Sequence, residues 1–341
     1  MPLSHSASKP EIRVSENGKT LDSVCRNPII RPPNQKINPP IIQHRLEPSI
    51  MSSTKAAFIG LGNMGFPMAG HLAKADFDVT VYNRTATKAE AWIKEHGGGS
   101  ADTPAKAAEG AEIILTCVGN DNDLRAVILG DDGVLAGTGK GGVIIDHTTA
   151  SAIVAREIAK AAAEKSIGFL DGPVSGGQEG AEKGQLTVMV GGSDEDFAKG
   201  EPAMQSFAKA VILMGPVGSG QLTKMVNQIC CSCSIQALAE GMNFAVKSGL
   251  DAHQVVDVIS QGAAQSWQME NRGKTMVDGK FDFGFACDWM RKDLDICLDE
   301  ARANGAQIPL TALIETFYAR IQGEGDGRLD NTALYRLLSN A

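Results

Sequence analysis

The sequence predicts an α/β fold: a doubly wound parallel sheet followed by an all-α C-terminal domain, the two joined by a long helix. Three observations predict it. From Lys55 onward, short apolar runs alternate with stretches of helical spacing, the pattern of a parallel sheet wrapped by helices. The strand-like runs stop at Gly215-Pro216-Val217-Gly218. Beyond them, residues 221 to about 247 read as one helix, with apolar residues at Leu222, Met225, Val226, Ile229, Cys233, Leu238 and Met242, and helical segments continue to the C terminus.

The elements follow in order. Residues 1–53 hold eight of the fourteen prolines and sustain no hydrophobic period, so a disordered extension is expected there. Seven Lys/Arg stand against four acids in it, and it lacks the apolar core of a secretory signal. A transit peptide, or a true start at Met51, are the alternatives. Residues 56–59 form the first strand, 64–75 the first helix, 79–82 the second strand and 88–95 the second helix. Residues 113–118, 143–145 and 167–170 are further strands, and 186–190 follows after a polar, glycine-dense loop. Domain boundaries are therefore expected at 1–53, 54–215 and 216–341.

Composition narrows the function. The 341 residues can bury two sizeable cores, and a net charge of −8 leaves no basic stripe, so no nucleic-acid partner is expected. No stretch approaches the roughly 18 uninterrupted apolar residues of a membrane span. The seven cysteines are odd in number and form no CxxC pair. Buried reduced thiols and a reducing, cytoplasmic location are expected, with mitochondrion or plastid as the alternative if the extension is a transit peptide. The six histidines show no metal-ligand spacing, so no metal is expected.

Gly60-Leu61-Gly62-Asn63-Met64-Gly65 fits the dinucleotide fingerprint GxGxxG, between a strand and a helix as that motif requires. This makes residues 54–215 a Rossmann-type domain. Gly60 serves the tight turn, Gly62 the approach of the pyrophosphate, and Gly65 close helix–strand packing. After the second strand an acid would hold the ribose of NAD, but the chain has Asn83-Arg84-Thr85. Arginine pairs with a 2′-phosphate, so NADP is favoured and NAD is the alternative.

Asp171-Gly172-Pro173-Val174-Ser175-Gly176-Gly177 reads as a receptor for a small carboxylate, which accepts hydrogen bonds and needs converging donors. A plain hairpin loop is the other reading. Lys224 lies one turn into the long helix on an otherwise apolar stripe, with Asn227 and Gln228 at i+3 and i+4 on the same face. It either snorkels or exchanges a proton with substrate, and its position is expected to be exposed or cleft-facing. Thr148-Thr149 fall at the carboxyl end of a strand, where ligands bind in open α/β sheets. Lys292 either meets the cofactor or caps a helix. Trp267 and Trp289 either line a pocket or, by default, sit in the core.

With these residues assembled, the chain resembles the β-hydroxyacid dehydrogenase family, whose members include 3-hydroxyisobutyrate dehydrogenase, tartronate semialdehyde (2-hydroxy-3-oxopropionate) reductase and glyoxylate/succinic semialdehyde reductase. The resemblance runs from about Lys55 to the end through four motifs in series: residues 58–65, 171–177, 218–228, and Lys292-Asp293-Leu294. It implies an oxidoreductase that moves a hydride between NADP(H) and a small β-hydroxyacid or its semialdehyde. Lys224 would be the general acid/base, and Ser175, Gly176 and Gly177 would hold the substrate carboxylate. Thr149 would lie near nicotinamide and substrate, Val118 and Lys292 would contact the cofactor, and the protein would be a homodimer or homotetramer. One departure stands out: many members carry Asn-Asn where this chain has Asn227-Gln228, so Gln228 takes the amide position credited with substrate contact. Rival readings are a serine or D-threonine dehydrogenase, an imine reductase (where the lysine is typically replaced), and a non-catalytic dinucleotide-binding scaffold.

Overall fold

The computed structural model describes residues 53–339. The expectation for residues 1–52, with Cys25, lies outside the described residues. Strands β1 (Lys55–Ile59), β2 (Asp78–Tyr82), β3 (Gly99–Ser100), β4 (Ile113–Thr116), β5 (Val143–Asp146) and β6 (Gly168–Asp171) lie in the order β3-β2-β1-β4-β5-β6, every pairing parallel. That is the strand order of dinucleotide-binding sheets. All four residues of β4 and of β5 are buried, as strands covered on both faces must be.

The sheet then departs from the all-parallel expectation. β7 (Val174–Ser175) runs antiparallel to β8 (Leu186–Gly191), β8 meets β6 antiparallel at Gly191 and Asp171, and β9 (Ala208–Gly215) runs parallel to β8. β3 and β7 have two residues each, too few for a periodic signal, and β9 has no fully buried residue, so none of these announces itself in the sequence. β4 ends at Thr116 rather than Val118. The Cys117 N–H still donates to Ile59 O (2.9 Å), but the Val118 N–H turns to Thr148 Oγ1 (3.0 Å).

Helices α1 (Gly65–Lys74), α2 (Ala86–His96), α3 (Pro104–Ala108), α4 (Asp121–Leu129), α5 (Val134–Gly137), α6 (Ala152–Glu164), α7 (Gly177–Glu182) and α8 (Asp194–Gln205) connect the strands. Alternation along β1 divides the core. Ala56 and Phe58 pack with Met68, Leu72 and Trp92, whereas Ala57 and Ile59 pack with Leu124, Ile128 and Val154. Trp92 is fully buried, its Nε1 donating to Phe66 O (3.2 Å). Trp267 and Trp289 are not core residues: they are 50% and 39% exposed. Asn120, Ser151 and Ser193 cap α4, α6 and α8 with their side chains, while α1 and α2 have no side-chain cap.

The chain continues through α9 (Ser219–Lys247), α10 (Ala252–Ile259), α11 (Trp267–Val277), α12 (Cys287–Asn304), α13 (Pro309–Gly323), a 3-10 turn at Asn331–Tyr335 and α14 (Arg336–Ser339). Ile235, Leu238, Met242, Met276, Met290, Leu294, Ile314 and Tyr318 form the core of this helical domain. By length and composition alone α9 could cross a bilayer, but it is the central helix, packed on β8, α11, α12 and α13. Its buried face carries Gln221, Lys224, Gln228, Ser232 and Gln236 beside the apolar residues, while Val226, expected on the apolar stripe, is 60% exposed. The cysteines among the described residues are free thiols, with Cys230 exposed rather than buried.

Glycines set the closest contact between sheet and helix. A Cβ at Gly220 would overlap the carbonyl oxygens of both Asp171 and Met189. Backbone cannot yield as a flexible side chain can, so Gly220→Ala is expected to destabilise the protein by about 1–3 kcal/mol. Urea unfolding of the variant against wild type measures this, and an unchanged midpoint would contradict the close packing.

Candidate active site

The dinucleotide end is built from two turns tied together. Gly60 takes φ +100°, and a Cβ there would overlap Cys117 O, so the β1–α1 turn needs glycine. The Gly60 N–H donates to Tyr82 O (2.8 Å) and the Leu61 N–H to Asn83 Oδ1 (2.9 Å), while Asn83 Nδ2 donates to Thr85 O (3.0 Å). A Cβ at Gly62 would meet nothing within 4 Å, and α1 opens at Met64 without a side-chain cap. The Phe66 N–H donates to Gly62 O (3.0 Å) and Pro67 has none, so a pyrophosphate would lie in the open space at Gly62 and meet the amides that precede Phe66. After β2, Arg84 is largely exposed, 3.8 Å from Asp123, and Thr85 opens α2 without using its hydroxyl as a cap. These residues fit a nicotinamide dinucleotide.

The carboxyl edges of β5 and β6 hold the start of α9. Asp171 accepts the Gly218 N–H on Oδ1 (2.7 Å) and the Gln221 N–H on Oδ2 (2.9 Å). Burial pushes its carboxyl up to about 6 against the pull of those amides. Asp146 is completely buried, takes Thr116 Oγ1 (2.8 Å) and the Thr148 N–H (3.0 Å), and burial pushes it up to about 7. His147 is held neutral: burial drives it down to about 4, and its Nδ1 lies 2.6 Å from Gly172 O. Gln221 brackets Thr149, with Nε2 donating to Thr148 O (2.7 Å) and Oε1 accepting the Ala150 N–H (3.1 Å).

From there a continuous polar chain crosses the site. Lys292 Nζ donates to Thr149 O (2.5 Å) and lies 2.9 Å from Asp293 Oδ1. Asp293 Oδ2 accepts from Gln228 Nε2 (2.6 Å), Gln228 Oε1 from Asn227 Nδ2 (2.7 Å), and Asn227 Oδ1 from Ser175 Oγ (3.1 Å). Lys224 lies one turn before Gln228 on the same buried face. Among the described residues it forms no hydrogen bond or ion pair, and it is only 7% exposed. Burial lowers its pKa from the usual lysine value, against a smaller raising effect of Asp293. A buried amine whose pKa is lowered by desolvation gives up its proton more readily than an exposed lysine, as an acid/base requires.

Comparison with known proteins agrees with this geometry. Residues 55–215 match the model of the NAD-binding domain of 6-phosphogluconate dehydrogenase, and 218–338 that of the NAD-binding domain of NADP-dependent 3-hydroxyisobutyrate dehydrogenase. An uncharacterized oxidoreductase of Shewanella frigidimarina is 57% identical over 287 residues, 84% of this chain and 99% of that protein. The 2-(hydroxymethyl)glutarate dehydrogenase of Eubacterium barkeri is 35% identical, over 84% of this chain and 95% of its own length. The chain belongs to the β-hydroxyacid dehydrogenase family. Among solved structures of that family, the Mycobacterium tuberculosis 3-hydroxyisobutyrate dehydrogenase with L-serine superposes with a TM-score of 0.77 at 30% identity, over 84% of this chain and 99% of that one. The protein is an NAD(P)-dependent oxidoreductase.

Within this β-hydroxyacid dehydrogenase, Lys224, Ser175, Thr149, Gln228 and Lys292 fall around one polar chain. Three expectations change. Lys224 is buried rather than exposed. The loop after Asp171 is not irregular: it holds β7 and then α7, which begins at Gly177. Asn83 spends its amide on bracing the two dinucleotide turns. Thr148 is structural, its Oγ1 accepting the Val118 N–H, whereas Thr149 Oγ1 bonds to none of the described residues. Sequence reading assigned no role to Asp171, Gln221 or Asp293. Gln221 left a signal, an amide three residues before Lys224 on the buried face.

The lowered pKa of Lys224 has a consequence for stability. The unfolded chain keeps its proton up to about pH 10.5 while the folded chain loses it earlier, so the cost of burying the charge is full below the folded pKa and vanishes as pH rises toward 10.5. Lys224→Met is therefore expected to be more stable than wild type near pH 7, with the gap narrowing by about pH 9.5. Urea midpoints at the two pH values test this, and a gap that widens with pH would contradict it.

Proposed function

We propose that this protein is an NADP-preferring reductase/dehydrogenase of a small β-hydroxyacid or its semialdehyde, of the 3-hydroxyisobutyrate or 2-hydroxy-3-oxopropionate type, with Lys224 as general acid/base. The observation that carries the reading is the Lys224 amine, buried, one turn before Gln228, and acted on by the charges of Asp293 and Lys292, which belong to the polar chain that runs from Thr149 to Ser175. The nicotinamide supplies or accepts the hydride. Lys224 gives a proton to the carbonyl oxygen in reduction and takes it from the hydroxyl in oxidation, so hydride and proton together balance the two-electron change. Ser175 and the N–H groups of Gly176 and Gly177 hold the carboxylate and set its distance from the reacting carbon. Ser175 now donates to Asn227, so its hydroxyl must turn to donate to a substrate. Gln228 contacts the substrate from the same face as Lys224.

NADP is preferred because Arg84 and Thr85 occupy the place of a ribose-binding acid, with Gly60, Leu61, Gly62, Asn63, Met64 and Gly65 at the pyrophosphate and Val118, Thr149 and Lys292 toward the nicotinamide. A homodimer or homotetramer is supported by Val226 and Phe244, which α9 exposes at 60% and 72%. A cytoplasmic location fits the free thiols. A β-hydroxy amino acid is the second reading, favoured by the L-serine in the Mycobacterium tuberculosis structure.

Lys224→Ala is expected to keep NADPH binding and lose about 10²- to 10⁴-fold in turnover. A folded variant with near wild-type turnover of 3-hydroxyacids and semialdehydes would end the assignment. Arg84→Ala is expected to raise the Michaelis constant for NADPH about 2- to 5-fold, the scale of a solvent-screened ion pair, and to leave that for NADH unchanged. A wild type that favours NADH would refute the preference.

A further inference from the structure

We propose that Gln221 is a positioning residue that holds Thr149 in register with Lys224. The inference rests on the roles given above to those two residues. Gln221 is 1% exposed, on a helix face where an apolar side chain would bury as well. Both ends of its amide are used, on the peptide groups either side of Thr149: Nε2 on Thr148 O and Oε1 on the Ala150 N–H. The side chain thus pairs with this segment as a neighbouring strand would. Lys292 Nζ takes the carbonyl between them. Thr149 is restrained through its backbone, and its hydroxyl is left for a ligand.

The clamp is itself anchored. The Gln221 N–H donates to Asp171 Oδ2, which fixes the residue at the edge of β6. Lys224 follows three residues later, about 4.5 Å along the helix axis and near the same face. The sheet edge that presents Thr149 and the helix that presents Lys224 therefore share one side chain. A displacement on the order of 1 Å between groups facing one substrate can cost about a hundredfold in rate.

A residue that only satisfies buried peptide groups would affect stability, and its effect would not depend on Thr149. A double-mutant cycle separates the two roles. Gln221→Leu and the near-isosteric Gln221→Glu are each made with Thr149 intact and with Thr149→Ala. With Thr149 intact, Gln221→Leu is expected to lower kcat about 10- to 100-fold. NADPH affinity, read by fluorescence titration, is expected to stay within about twofold. In the Thr149→Ala background the further loss in kcat is expected to shrink to about twofold. Gln221→Glu keeps the acceptor for Ala150 and loses the donor to Thr148, so it should show the same loss of coupling should Gln221→Leu not fold. Equal losses in both backgrounds, or a lowered Tm with kcat unchanged, would overturn the proposal. Undiminished turnover in Lys224→Ala strikes the acid/base reading instead, so the two failures are distinguishable.

Discussion

The first amides of α9 have no acceptor on their own helix, and Asp171 supplies one from the end of β6. That carboxylate pins the central helix of the second domain to the carboxyl edge of the first domain's sheet. Gly220 and Gly191 let helix and strand approach so closely that a Cβ at either would strike backbone or Asp171 itself. Lys224 stands where it does because the helix starts where it does. The penalty of burying a carboxylate is offset in part by charge-assisted bonds to amides at the positive end of a 29-residue helix.

Asp293 explains why Lys224 stays unclaimed. Its Oδ2 accepts from Gln228, and its Oδ1 is ion-paired with Lys292 without a hydrogen bond. Were Asp293 bonded directly to Lys224, the attraction would hold the ammonium charged; Asp293 acts on it only as a neighbouring charge, so burial prevails and the amine is lowered. Gln228 matters here through its length. Its amide reaches Asp293 while its oxygen still accepts from Asn227, which continues the chain to Ser175. An asparagine at this position would be shorter by one methylene and could not span both contacts from the same backbone.

Features that depend on local chemistry were legible in the sequence. The glycine fingerprint, the strand series to β6 and the long helix follow from spacing, and the motifs that hold Ser175, Gln228 and Lys292 are the ones that one polar chain links. What was hidden depends on contacts remote in sequence. Asp171 bonds residues nearly fifty positions away, and Gln221 bonds more than seventy positions back, so no window along the chain reveals either. β7 and β3 are too short for a period, and α7 sits among glycines that read as loop. The apolar stripe around Lys224 pointed to its desolvation, but how completely the helix is covered along that face depends on packing partners distant in sequence.

The Asn83 bridge has a consequence for how the chain can diverge. Its amide braces the turn after β1 and the turn after β2 at once, using the oxygen for one and the nitrogen for the other. An aspartate at 83 would preserve the first contact and turn the second into oxygen against oxygen. An acid at position 83 would therefore loosen the brace between the two turns. The side chains of Arg84 and Thr85 take no part in that brace, which uses only the Thr85 carbonyl, so substitution there leaves both turns held. Side-chain change after β2 can thus accumulate on the surface while the two turns beneath it keep their shape.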